Sequence, residues 1–96
     1  MTGGFNMKIV SSAIKFQIIG SEYFHILCGK RHCDIFNLMR SLGITYDKKT
    51  YESGFLTDRN KFVDRKTAKI IAQSAGQIIR HSAGSHSKEL YSEDLW

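Results

Sequence analysis

The chain has 96 residues, 42% of them apolar, and no proline; its 14 lysines and arginines outnumber nine acids, giving a formal net charge of +5. This length predicts one domain spanning 1–96, and the composition excludes a disordered chain. No run approaches the roughly 18 apolar residues that cross a bilayer, and the first residues lack a signal-peptide layout, so we expect a cytoplasmic protein.

The positive charge is concentrated before the last eight residues. Three of the nine acids lie in 89–96, so residues 1–88 carry 14 bases against 6 acids. Such a field favours anionic partners such as nucleic acid, nucleotides or an acidic protein. The acidic segment could also cover a basic surface of its own chain or of a neighbouring one.

The first half of the chain predicts a loose start over 1–8, a β-hairpin and a helix. Apolar side chains alternate with polar ones in the first strand, Gly20-Ser21 forms the turn, and 23–28 is the returning strand. A helix follows, opened by His32 or Asp34 and ended by Gly43. Its apolar face consists of Ile35, Leu38, Met39 and Leu42.

The central stretch, residues 54–78, predicts a second small hairpin over 55–63 that leads into a capped helix. Asp64 is the expected N-cap, and Gly76 is the expected C-terminal cap. The helix should bury a small-residue face and keep three cations outside. The buried set is Ala68, Ile71, Ala72 and Ala75, and the outer set is Arg65, Lys66 and Lys69.

The end of the chain divides into a flexible linker over 82–88 and a tail over 89–96 that docks. The linker is rich in small residues, whereas the tail carries four large apolar side chains among acids. The predicted fold class is therefore α+β: an N-terminal antiparallel β-hairpin sheet packed with two main helices. A domain of this size is also expected to oligomerise.

The two cysteines suggest neither a disulfide nor a metal site. Cys28 and Cys33 are close together without a secretory context, which predicts free thiols packed as small core residues. With His25 and His32 they place four nitrogen and sulfur ligands in nine positions, but the spacing does not suit zinc. We expect no metal and no cofactor.

Two features have both a structural and a ligand-binding interpretation. The loop Gly29-Lys30-Arg31-His32 lies between a strand and a helix, where it could bind an anion or remain a solvated basic loop. Phe55 could belong to the core, as a single phenylalanine most often does, or could stack on a nucleotide base. No nucleophile, base and acid converge in the sequence, so we expect no enzyme. A small basic protein that binds nucleic acid or has a regulatory role is the alternative, although no helix-turn-helix pair is recognisable.

Several ordered motifs together resemble a known family. These are AIKF, GKRHCD, GFLT, KFVDRKTAKIIAQSAGQI and the final LYSEDLW. Their order resembles that of the phage anti-Thoeris proteins of the first class, which act as signal sponges. The resemblance implies a dimer-based homo-oligomer, such as a hexamer, that sequesters a cyclic ADP-ribose isomer of the bacterial Thoeris system without cleaving it. It also implies possible binding of CBASS cyclic oligonucleotides, in the host cytoplasm during infection.

The resemblance also assigns roles to individual residues. Phe55 would stack on the adenine, and base stacking is worth ~1 to 3 kcal/mol. Arg31, with Lys30 beside it, and Arg80 would bind phosphate. Asp64 stands where an amide is expected, so it either contacts ribose hydroxyls or only caps the helix. Arg65, which follows it, completes the expected ligand-binding set.

Overall fold

Four antiparallel strands and two helices form the protein, as a computed structural model shows for residues 7–96. The predicted loose segment 1–8 lies mostly outside these described residues. The elements are β1 (Ile9–Gln17), β2 (Phe24–Gly29), α1 (His32–Ser41), β3 (Glu52–Thr57), β4 (Phe62–Asp64), α2 (Arg65–Ser74) and a 3-10 turn (Ser92–Asp94). The α+β class is confirmed. None of the helices in residues 7–96 has the length and apolar character required to traverse a bilayer.

The two predicted hairpins are joined into one sheet, with the strand order β2-β1-β3-β4. Strand β1 is central and pairs antiparallel with both β2 and β3, so that Lys15 lies opposite Ile26 on one side and Glu52 on the other. Strand β4 returns beside β3 and forms the far edge.

One face of the sheet carries both hydrophobic clusters. Directly paired residues of antiparallel strands point to the same face, so Phe55 shares the face of Ser12, and Ile14 and Phe16 follow at period two. Helix α1 covers one half of this face with Ile35 and Met39. Helix α2 and the tail cover the other half with Ala68, Ile71, Ala72, Leu90 and Leu95.

Helix α2 begins and ends as the sequence predicts. The Asp64 carboxylate accepts a hydrogen bond from the Thr67 amide N–H at 2.7 Å, and this bond holds the pKa of Asp64 below its usual value. Gly76 has a φ of +67°, the left-handed conformation that a glycine after a helix supplies. Ala75, expected on the buried face, is exposed because the helix ends at Ser74.

We expect Asp64→Ala to lower the free energy of unfolding by about 1 kcal/mol, because an orphan amide of the first turn loses its acceptor. Urea unfolding followed by the fluorescence of Trp96, the one tryptophan of the chain, measures this loss. Asp64→Asn is the matched control, since an amide oxygen caps nearly as well. Equal stability of the alanine variant and the wild type would contradict the capping role.

Besides that for Ala75, three expectations about exposure are wrong. Lys69, expected outside, is only 4% exposed, and its ammonium lies 3.4 Å from Nδ1 of His81. Cys28 and Cys33, expected in the core, are free thiols but exposed. Cys28 pairs with Ala13 and therefore points to the sheet face that the helices do not cover, and Cys33 points outward from the first turn of α1.

Two apolar side chains of the tail pack into the core. Leu90 is fully buried and Leu95 nearly so, both in the cluster formed by α2. Burial alone would raise the pKa of Asp94, but hydrogen bonds from the Ser82 hydroxyl and amide and from the Tyr91 amide outweigh it and lower that pKa. These bonds fasten one end of segment 82–88 to the tail; the flexibility predicted for that segment stays a prediction.

Candidate functional site

Three of the predicted ligand-binding cations meet at the tail. Arg65 Nη1 donates to the Leu90 carbonyl at 2.8 Å, and Arg80 Nη1 donates to the Glu93 carbonyl at 3.0 Å. Arg31 Nη2 donates to the carbonyl of Trp96. We call Arg31, Arg65 and Arg80 the arginine clamp, because each donates a hydrogen bond to a main-chain oxygen of the tail from a different part of the chain.

Two arginines of the clamp converge on one oxygen. Arg80 Nη1 also lies 3.5 Å from the Trp96 carbonyl that Arg31 binds. Arg31 is the N-cap of α1, and its side chain is 35% exposed and lies 3.9 Å from the Glu93 carboxylate. Lys30 is exposed beside it. Two guanidinium groups around one acceptor, next to a helix N-terminus, form a geometry suited to a phosphate group.

Arg65 connects the clamp to a groove of about 530 Å³. Its Nε donates to the Ser53 hydroxyl at 3.0 Å, and its guanidinium carbon lies 4.7 Å from the centroid of the Tyr91 ring. The groove brings together two predicted site residues and an exposed aromatic residue. Its lining is Tyr51, Glu52, Ser53, Asp64, Arg65, Lys66 and Glu89.

His32 follows Arg31 in the chain and is hydrogen-bonded to Gly54, the neighbour of the groove residue Ser53. Its Nε2–H donates to the Gly54 carbonyl at 2.7 Å, which requires the neutral ring to carry its proton on that nitrogen. Burial is the main cause of a lowered pKa for His32; the Gly54 hydrogen bond and the charge of Glu93 oppose the lowering, and the charge of Arg65 adds to it. The charges of Arg65, in the arginine clamp, and Glu93, in the tail, both act on this imidazole. The clamp and the tail therefore both lie close to His32.

Phe55 lies apart from these groups, in the core. The ring is 0% exposed and meets the His32 ring edge-on, with centroids 5.0 Å apart and planes at 86°. Neither face of the ring is open to a ligand in this conformation. The position agrees with the structural interpretation of Phe55, and base stacking there would require the ring to leave the core.

The sequence interpretation missed three elements around the site. Tyr51, 43% exposed, lines the groove, and Tyr91 packs on Arg65. A second cavity of about 370 Å³ lies against α2 and carries three lysines. Its lining is Lys66, Lys69, Ile70, Gln73, Ser87 and Lys88. The spacing of 66, 69, 70 and 73 along one helical face was the available signal.

The titratable side chains do not form a metal site in the described part of the chain. Across residues 7–96, no three histidine, cysteine, aspartate or glutamate side chains are grouped as a metal ion requires.

The fold and the clamp define a small α+β protein with a cationic site built around its own tail. The chain belongs to the phage T4 y16D protein family, whose model matches residues 8–96. It is thus a member of a phage protein family. Comparison with curated proteins and with solved structures finds no match.

Proposed function

We propose that this protein binds and sequesters a cyclic ADP-ribose isomer, the messenger of bacterial Thoeris defence, without cleaving it. Membership of a phage family supports a role during infection of a bacterial host. The ordered motifs that resemble the anti-Thoeris sponges supply the ligand class, and the protein would act in the host cytoplasm.

The observation that carries the proposal is the convergence of Arg31 and Arg80 on the Trp96 carbonyl. The tail presents the main-chain oxygens of Trp96 and Glu93 and the Glu93 carboxylate to these two guanidinium groups. A phosphate group also offers several acceptor oxygens, so it could replace them and take both guanidinium groups. Lys30 and the first turn of α1 add positive potential at the same place.

The base-stacking role passes from Phe55 to Tyr51 in this proposal. Moving the Phe55 ring out of the core would leave a cavity, as its truncation does, and would therefore cost about 3–5 kcal/mol. Stacking on a base contributes only ~1 to 3 kcal/mol. Tyr51 is already exposed at the groove that holds Asp64. The Asp64 carboxylate can accept hydrogen bonds from ribose hydroxyls there while its other contact caps α2.

The lysine cavity on α2 is the candidate place for CBASS cyclic oligonucleotides, the second ligand implied by the resemblance. Lys66, Lys69 and Lys88 supply positive charge, and Ile70 supplies an apolar wall. A volume of about 370 Å³ suits one nucleotide unit of such a ring rather than the whole molecule.

Capture followed by heat release tests the sponge proposal. The purified protein is incubated with the messenger, unbound ligand is removed, and the protein is heat-denatured. We expect the intact messenger to be recovered in the supernatant. Recovery of nothing, or of a hydrolysed product, would reject sequestration without cleavage.

Nucleic-acid binding remains the second candidate because residues 1–88 carry a surplus of eight bases. That function predicts an affinity that falls steeply with salt and rises with polymer length. A small-molecule site instead predicts indifference to long duplexes. Titration of both ligands at two salt concentrations separates the two functions.

A further inference from the structure

A cavity of about 250 Å³ lies against α1 and the connection between α1 and β3, and we call it the aromatic pocket. It shares no lining residue with the groove or with the lysine cavity, and it includes no arginine of the clamp. Aromatic and other apolar side chains make up most of its lining, together with two cations and no acid. The lining is Phe36, Met39, Arg40, Ile44, Tyr46 and Lys48.

Hydrogen bonds fix the connection that forms one wall of the aromatic pocket. The Ile44 amide donates to the Met39 carbonyl at 3.0 Å, and the Asp47 amide donates to the Gln17 carbonyl at 2.8 Å. Between these two points, Tyr46 forms an isolated β-bridge with the residue that follows β1. The wall is therefore held both to the end of α1 and to the end of β1.

The aromatic side of the pocket belongs to a cluster of rings. The Tyr46 ring centroid lies 6.2 Å from that of Phe16, 6.4 Å from that of Phe36 and 5.7 Å from that of Tyr51. Phe36 and Tyr46 are half-buried and line the pocket, so part of each ring faces the cavity. A flat ligand ring would join this cluster at the separations of about 4.5–7 Å that aromatic pairs favour.

The two cations of the pocket have no carboxylate partner of their own. In the described residues 7–96, no carboxylate lies within ion-pair distance of Arg40 or Lys48. Arg40 Nη1 donates to the Asn37 amide oxygen at 3.1 Å, which leaves other N–H groups of the guanidinium for a ligand. The acid beside Lys48 is Asp47, and its carboxylate accepts a hydrogen bond from the Lys49 amide at 2.9 Å. The pocket therefore favours an anion.

We propose that the aromatic pocket binds a nucleoside monophosphate. A phosphate monoester carries about 1.5 to 2 negative charges at neutral pH, which suits two cations without an acid. Arg40 and Lys48 are exposed whereas Met39 is buried, so the phosphate lies at the mouth and the ring lies deeper. The ribose of a nucleotide separates its base from its phosphate and provides this spacing.

The size of the pocket limits the ligand to a single nucleotide. Its volume of about 250 Å³ falls below the ~300–1,000 Å³ typical of pockets for drug-sized ligands. The lining has no amide or carboxylate side chain that could read the edge of a base, so stacking should accept any base. The inference uses neither the arginine clamp nor the groove, so it stands or falls separately from the proposed function.

An NMR titration of the ¹⁵N-labelled full chain with AMP tests the site. We expect AMP to shift the amide signals of Arg40 and of residues 44–48 and to leave those of the tail unchanged. Adenosine and ribose 5-phosphate each supply one half of the ligand, and each should bind at least tenfold more weakly than AMP. O-phosphotyrosine, which joins ring and phosphate without a ribose, should also bind more weakly.

Variants at the mouth of the pocket give the matching test. Arg40→Gln/Lys48→Gln should weaken AMP binding at least tenfold and leave messenger capture unchanged. The control is Arg59→Gln/Lys61→Gln, which removes the same charge from exposed residues outside the pocket and should bind AMP normally. Circular dichroism checks folding, and the single variant Lys48→Gln carries the test if the double variant does not fold.

A ring variant and a clamp variant complete the comparison. Phe36→Leu keeps an apolar side chain but removes an aromatic wall, so it should weaken AMP binding several-fold. Arg31→Gln should leave AMP binding unchanged, because Arg31 does not line the pocket. The inference is overturned by no binding at millimolar AMP, by normal binding in Arg40→Gln/Lys48→Gln, by loss of binding in Arg31→Gln, or by O-phosphotyrosine binding as tightly as AMP.

Discussion

Phe55→Ala is expected to lower the free energy of unfolding by about 3–5 kcal/mol, enough to unfold a marginal domain of this size. The ring is fully buried between the two sheet partners and α2 and supports the His32 ring edge-on, so truncation leaves a cavity that the surroundings cannot fill. Urea unfolding monitored by Trp96 fluorescence measures the loss.

The matched control for this variant is Tyr51→Ala, which removes an exposed ring at the groove. The Tyr51 ring also lies edge-on to the Phe36 and Tyr46 rings, so we expect the variant to lower the free energy of unfolding by about 1–2 kcal/mol, less than Phe55→Ala does. Messenger capture should weaken by the ~1 to 3 kcal/mol of a stacked base. A folded Phe55→Ala protein of near wild-type stability that no longer captures the messenger would return the stacking role to Phe55.

Arg31→Ala and Arg80→Ala are expected to weaken messenger capture by about ten- to a hundredfold each, from the 1.5–3 kcal/mol of a charge-assisted hydrogen bond. Both guanidinium groups reach the Trp96 carbonyl, so loss of either leaves half of the phosphate-binding geometry. Equilibrium dialysis against labelled messenger gives the affinities.

Arg59→Ala is the control for charge, because Arg59 is exposed in the turn between β3 and β4 and belongs neither to the arginine clamp nor to the groove lining. Arg31→Lys adds a second comparison: it keeps the charge but loses the planar fork, so it should recover only part of the affinity. If the alanine variants loosen the tail, seen as a shift in Trp96 emission, yet capture the messenger normally, the clamp only fastens the tail.

Much of the fold was predictable because its determinants are local. The N-cap at Asp64, the glycine at 76 and the alternation in the first strand each act within a few residues, and the structure confirms all three. The sheet order was not local: nothing near β1 specifies that its second edge pairs with β3 rather than remaining open.

The site was less predictable for the same physical reason. Residue type favoured a buried Phe55, and the structure places it there, but only tertiary packing shows that Tyr51 is the exposed ring beside Asp64. Lys69 illustrates the limit of helical periodicity, since its outward position on α2 is covered by segment 81–88 arriving from elsewhere. The prediction that the two cysteines are buried was wrong, because the average tendency of cysteine toward burial does not determine which face of an element a given residue occupies.

The central position of β1 also bears on how the polypeptide acquires its native state. The β1–β2 hairpin closes a short loop, but the β1–β3 ladder joins Ile9 to Thr57 and Lys15 to Glu52, with the whole of α1 in between. The entropy of closing that large loop is lost before its contacts form, so we expect the ladder to limit the folding rate. Until the β1–β3 ladder forms, Phe55 has no strand neighbour on β1. During that interval the nascent chain is most susceptible to proteolysis and aggregation.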